Sequence, residues 1–132
     1  MTKKIFNLSN REKAVHYRNN YSAWKKYSLD SKGYFIIFNG FLERRILKNI
    51  TGNSLKLYIF LGIHSNNETG ESYYSIESMA KYFGKSERTI NNWINELEKL
   101  NLIKRMQFNK NQVSHTFLQP YDSGVERPIK KK

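Results

Sequence analysis

The segment SIESMAKYFGKSERTINNWINELEKLNLI, Ser75 to Ile103, limits the fold more than any other stretch, because two capped helical patterns stand only three residues apart. Ser75 caps a first short helix, Ile76 to Phe83, with Ile76, Met79, Ala80 and Phe83 at helical spacing on its inward side. Gly84 supplies an unhindered turn. Ser86 caps a longer helix from Glu87 to about Leu100, buried through Ile90, Ile94, Leu97 and Leu100 or Asn101, with Trp93 on the border. A link of only Gly84-Lys85-Ser86 keeps the two helices from lying antiparallel along a long loop, so they cross steeply and the second one projects.

The projecting helix carries Glu87, Arg88, Thr89, Asn91, Asn92 and Asn95 on its N-terminal and outer face. Short amides and a guanidinium of this kind meet phosphates and base edges, Asn pairing with adenine and Arg with guanine. After Leu100, Asn101 is suited to a left-handed cap, and Leu102-Ile103 returns the chain to the core. Residues 103–108 and 113–118 then read as strands around a hairpin loop, Asn109 to Gln112, a wing with Lys104, Arg105 and Lys110 as its cations.

Upstream, Ser54 reads as the cap of a helix to about His64 that is apolar almost all round and therefore central to the core. A polar Gly-containing loop follows, then Tyr73-Tyr74 as a one-rung strand. Nearer the N-terminus, Ser9 and Glu12 have capping-box spacing, which starts a helix over about 10–27. Its Ala14, Tyr17, Tyr21, Trp24 and Tyr27 or Ser28 form an aromatic stripe, with Arg11, Lys13, Arg18, Lys25 and Lys26 largely on the remaining surface. Two readings of that stripe stand: core packing or a dimer interface, and an arm that stacks bases or tracks a phosphate backbone through Arg11, Tyr17, Arg18, Tyr21, Trp24 and Lys25. Leu29 to Gly33 reads as a turn, 34–38 as a buried strand, and about 41–48 as a short helix. Residues 121–132 read as a disordered basic tail.

Charge and composition narrow the function. Among 132 residues, 23 Lys+Arg against 11 Asp+Glu give a net charge of +12, which favours a polyanionic partner. Aromatics make up 14% of the chain, enough to build an aromatic-rich core and to keep base stacking open. With no cysteine there is no disulfide, thiolate metal site or cysteine nucleophile. His16, His64 and His115 stand far apart, so no metal is expected. No P-loop, paired carboxylates or nucleophile with a base is apparent, and the expectation is a non-enzyme without cofactor. The sequence shows no apolar run long enough to span a membrane and no signal-peptide stretch, and a cytoplasmic location follows as an expectation.

The succession of apolar helix, Tyr73-Tyr74 rung, Ser75, Met79-Ala80, Gly84, Ser86, Thr89-Ile90, Leu97, Leu102-Ile103 and a basic hairpin resembles the winged helix-turn-helix superfamily. It resembles in particular the N-terminal domains of plasmid replication initiators and phage replisome organisers of low-GC Gram-positive bacteria. The resemblance implies an α+β, mainly α fold: a winged helix-turn-helix over 54–120 behind a basic, aromatic N-terminal extension over 1–53, with a C-terminal β-hairpin wing. It implies DNA as partner, contacted by Lys85, Ser86, Arg88, Thr89, Asn91, Asn92 and Asn95 on the recognition helix and by Lys104, Arg105 and Lys110 on the wing. The expected role is replication, transfer or regulation of a plasmid or other mobile element, with duplex DNA favoured and a homodimer or replication and transfer proteins as further partners. The sequence stops soon after the wing, which points to a small accessory or regulatory protein. The alternative is a single-stranded DNA-binding accessory protein that stacks bases on Tyr17, Tyr21, Trp24, Tyr34, Tyr73 and Tyr74.

Overall fold

In the computed structural model residues 7–121 are described, and the basic tail expected over 121–132 lies almost wholly outside them. Two compact units are present, one ending at Tyr34 and the other beginning at Phe35.

The first unit is α1, Asn10–Tyr27. Its capping box forms as the sequence predicts, the Ser9 hydroxyl accepting from the Glu12 amide while the Glu12 carboxylate accepts from the Ser9 amide. Where a plain turn is expected, the helix runs on as a π-helical turn, Ser28–Lys32, bridged by Lys26 and Asp30 at 3.4 Å and ended by Gly33 at φ 82°. No residue of α1 is buried, so the core-packing reading of its aromatic stripe is not realised within this unit.

The second unit is mainly helical with a small sheet: α2 (Gly40–Glu43), α3 (Ile46–Asn49), α4 (Gly52–Ile63), β1 (Glu71–Ser72), α5 (Ile76–Phe83), α6 (Glu87–Lys99), β2 (Ile103–Met106) and β3 (His115–Leu118). The sheet is antiparallel in the order β1-β3-β2. This is an α+β winged helix-turn-helix.

Four expectations need correction. The strand expected over 34–38 does not form: the segment pairs with none of the three strands of the sheet. Only Phe35 packs inward, edge-on to Tyr58 at 5.6 Å, while Ile36, Ile37 and Phe38 stay exposed and the Phe38 amide donates to the Tyr121 hydroxyl at 2.7 Å. The helix expected over 41–48 is split into α2 and α3 by Arg45, which sits at φ 62°. Its Phe41 and Ile46, with Ile50, join the core of the second unit rather than an extension. The cap of α4 is Thr51, not Ser54, which lies inside the helix and is fully buried. Finally, the strand before α5 is Glu71–Ser72, one step ahead of Tyr73-Tyr74, because it is Glu71 and Ser72 that lie opposite Phe117 and Thr116.

The core gathers Leu57, Tyr58 and Leu61 of α4, Met79 of α5, Ile90, Ile94 and Leu97 of α6, and Leu102-Ile103. Burial pushes the Tyr58 hydroxyl well above the ordinary tyrosine range, helped by its neighbour Tyr121. Gly62 matters because the Phe35 ring lies against it: a Cβ there would stand 2.3 Å from the ring. Gly62→Ala should therefore expel Phe35 and destabilise the fold by about 1–2 kcal/mol, the clash exceeding the ~1 kcal/mol gained in helix propensity. Urea unfolding of the two proteins checks it; a more stable Gly62→Ala protein would refute the close approach.

Candidate nucleic-acid interface

The placement of α6 begins with its two ends. The turn from α5 closes on Gly84 at φ 67°, where the Lys85 amide reaches back to the Ala80 carbonyl at 3.0 Å. This six-to-one bond, with a left-handed residue inside it, is a Schellman closure. The Ser86 hydroxyl then caps α6, accepting from the Thr89 amide at 3.1 Å. At the far end Asn101 takes φ 61° and the Leu102 amide bonds the Leu97 carbonyl at 3.0 Å, a second closure of the same kind that turns Leu102 and Ile103 into the core.

The inner side of α6 is fastened by more than apolar packing. The Glu96 carboxylate accepts from the Thr51 amide at 2.9 Å, the Thr51 hydroxyl at 2.7 Å and the Ser54 hydroxyl at 2.6 Å, binding α6 to the first turn of α4. The Ser54 hydroxyl holds Glu96 below the ordinary glutamate range; desolvation opposes this, and the Thr51 bonds add to it. A carboxyl depressed in this way adds stability that is fully present above the pH at which the unfolded chain's glutamate titrates. That stability is lost as pH falls through the lower, folded value. Glu96→Ala should cost about 2 kcal/mol at neutral pH, since the buried Ser54 hydroxyl loses its partner. Its stability should also fall less steeply than wild type toward acid. Urea titrations across pH test both statements, and parallel pH profiles would refute the second.

Glu98 likewise faces the fold, accepting from the Arg105 amide at 3.2 Å. With Glu96 and Glu98 both engaged, the outward line of α6 is Arg88, Asn91, Asn92, Asn95 and Lys99, all exposed at spacings of three and four. It carries no carboxylate beyond Glu87 in the first turn.

The structure brings Lys85, Arg88, Asn91, Asn92 and Asn95 together at the surface as the sequence predicts. Ser86 and Thr89 are occupied otherwise: their hydroxyls bond each other at 3.0 Å in the cap. On the wing, Lys104 and Lys110 are exposed, but Arg105 turns inward, donating to the Tyr74 carbonyl at 3.2 Å and the Thr116 hydroxyl at 2.7 Å. Burial pulls its guanidinium below the usual arginine value, with Glu98 opposing. Tyr74 is packed, its ring edge-on to Phe60 at 5.4 Å and to His64 at 4.7 Å. Arg11, Tyr17, Arg18, Tyr21, Trp24, Lys25 and Tyr34 are all exposed in the first unit, where Tyr21 and Trp24 touch at 5.7 Å.

Sequence reasoning passed over Glu96, whose partners Thr51 and Ser54 stand more than forty positions upstream. It also passed over the ring cluster of Phe108, His115 and Phe117, although His115 and Phe117 alternate on one strand. The described residues hold no group of three or more His, Asp or Glu placed for a metal. No described helix is long and apolar enough to cross a membrane.

Residues 48–103 match the family model of a helix-turn-helix domain. The match runs from the end of α3 to the start of β2 and takes in both helices of the steep pair. This part of the chain is thus similar to a helix-turn-helix domain, and the match supports DNA as its partner. No curated protein and no solved structure matches the chain.

Proposed function

We propose that the protein binds duplex DNA by laying α6 in the major groove, with Arg88, Asn91, Asn92 and Asn95 at base edges and Lys85, Lys104 and Lys110 on phosphates. The observation that carries this reading is the outward line of α6: its cation and amides are exposed while Glu96 and Glu98 are drawn to the opposite side. Ser86 and Arg105 serve the interface by holding the cap and the wing. The net charge of +12 supplies the long-range attraction. The biological setting is a cytoplasmic, non-enzymatic role in regulation, replication or transfer of a plasmid or other mobile element, a reading that rests on the resemblance of the motif alone.

A second reading is favoured by one observation, the exposure of Tyr17, Tyr21 and Trp24 between basic residues on α1. Such a helix suits single-stranded DNA, or the same stripe from a second copy in a homodimer. Fluorescence anisotropy of the pure protein against one labelled duplex and its matching single strand, at low and moderate salt, separates the readings. Tighter duplex binding with a steep salt slope supports the groove reading; tighter single-strand binding moves the principal surface away from α6.

A further inference from the structure

The sheet has an inner and an outer face. Ser72, Ile103 and Thr116 are buried on the inner one, and the Arg105 side chain bonds there to Thr116. The register therefore sends the alternate residues outward: Lys104 opposite Phe117, Met106 opposite His115, and Glu71 opposite Phe117. On this outer face Tyr73 and Phe108 flank the His115 ring at 4.7 and 4.3 Å, and Phe117 continues the group, stacked on His115 at 6.3 Å. Phe108 is 56% exposed and Tyr73 62%, so the two outermost rings keep open faces rather than closing a core.

We propose that this outer face is a second nucleic-acid site, one that stacks unpaired bases on Tyr73 and Phe108. Three features select that occupant. Each ring offers a flat π-face, to which every base can stack without sequence preference. Among the described residues the one carboxylate on the face, Glu71, is engaged by a hydrogen bond from His115 Nδ1, while the exposed Lys104 stands opposite Phe117 for a phosphate. The support is also preformed: the loop that carries Phe108 is held by Gln107 Nε2 donating to the Gln112 carbonyl at 2.7 Å and by Asn109 Nδ2 donating to Gln112 Oε1 at 3.1 Å. The site is distinct from the outward line of α6, so it adds single-strand binding to a duplex reader rather than replacing it.

The test uses the whole chain and two probes, a labelled oligo-deoxythymidine and a labelled mixed-sequence duplex. Y73A with F108A should weaken the single strand about tenfold or more, because each stacked base is worth about 1–3 kcal/mol. Duplex affinity should stay within about twofold. F108W should restore single-strand binding and F108L should not, which separates stacking from apolar burial. R88A should show the reverse pattern, losing duplex and keeping single strand, so failure here is distinguishable from failure of the groove reading. An unchanged single-strand affinity in the double variant would overturn the proposal. So would full rescue by F108L, or a change of oligomeric state on sedimentation, which would make a second copy of the chain the occupant.

Discussion

Replacing Arg88 and Asn92 together by alanine is expected to lower affinity for a selected duplex site by about 100-fold, with no change in melting temperature. Both residues are exposed on the outward line of α6, and neither side chain makes a hydrogen bond to a described residue, so their truncation breaks nothing internal. If each reads a base edge, the two lost pairs are worth about 3 kcal/mol together, at the lower end of about 1–3 kcal/mol per good bidentate contact. Binding to random duplex should fall only slightly, since Asn92 carries no charge and Arg88 is one cation among 23 Lys+Arg. Side-by-side anisotropy on selected and random duplexes checks this. An equal loss on both would mean that Arg88 and Asn92 position the protein without reading sequence.

Leu97→Ala should do the opposite. Leu97 is fully buried on the inner side of α6, among residues that join this helix to α4. Truncation removes its packing and leaves a space the surrounding helices fill incompletely, at a cost of about 3 kcal/mol. For a domain of this size that corresponds to a fall of roughly 15 °C in melting temperature. Because the outward line is untouched, affinity for DNA at low temperature should be nearly that of wild type, and should collapse only where the variant begins to melt. Circular dichroism melts paired with binding at two temperatures test it. A stable variant with poor binding would show that Leu97 sets the position of α6 without holding the fold.

The two substitutions separate what the sequence displays from what it hides. The ends of α5 and α6 are legible because caps are local: Ser75, Gly84, Ser86 and Asn101 each act on residues within five positions, and all four behave as their types and spacing predict. The wing is legible for a similar reason, although its strands are shorter than the pattern suggests, ending at Met106 and starting again at His115. The segment 34–38 misleads because its residues favour strands, yet a strand exists only where another chain segment offers an edge, which local composition does not contain. Ser54 misleads because Thr51 competes for the same role and wins, which frees the Ser54 hydroxyl for Glu96.

Within the candidate interface, the exposed residues of α6 follow from helical periodicity, and their number and spacing are recoverable from sequence. Arg105 is the counterexample: it reads as one more wing cation, and only the pairing of β2 with β3 shows that Thr116 lies across from it on the inner face. The same register exposes the ring cluster around His115, whose members come from three separate segments. Charge counts locate a polyanion partner; register decides which side chains remain to meet it.

The most direct test of the groove reading is a heteronuclear NMR titration of the labelled protein with a short duplex. Amide and side-chain signals of Lys85, Arg88, Asn91, Asn92 and Asn95 should shift first and furthest, with Lys104 and Lys110 following and the buried α4 signals still. Shifts concentrated on α1, with α6 unmoved, would contradict it.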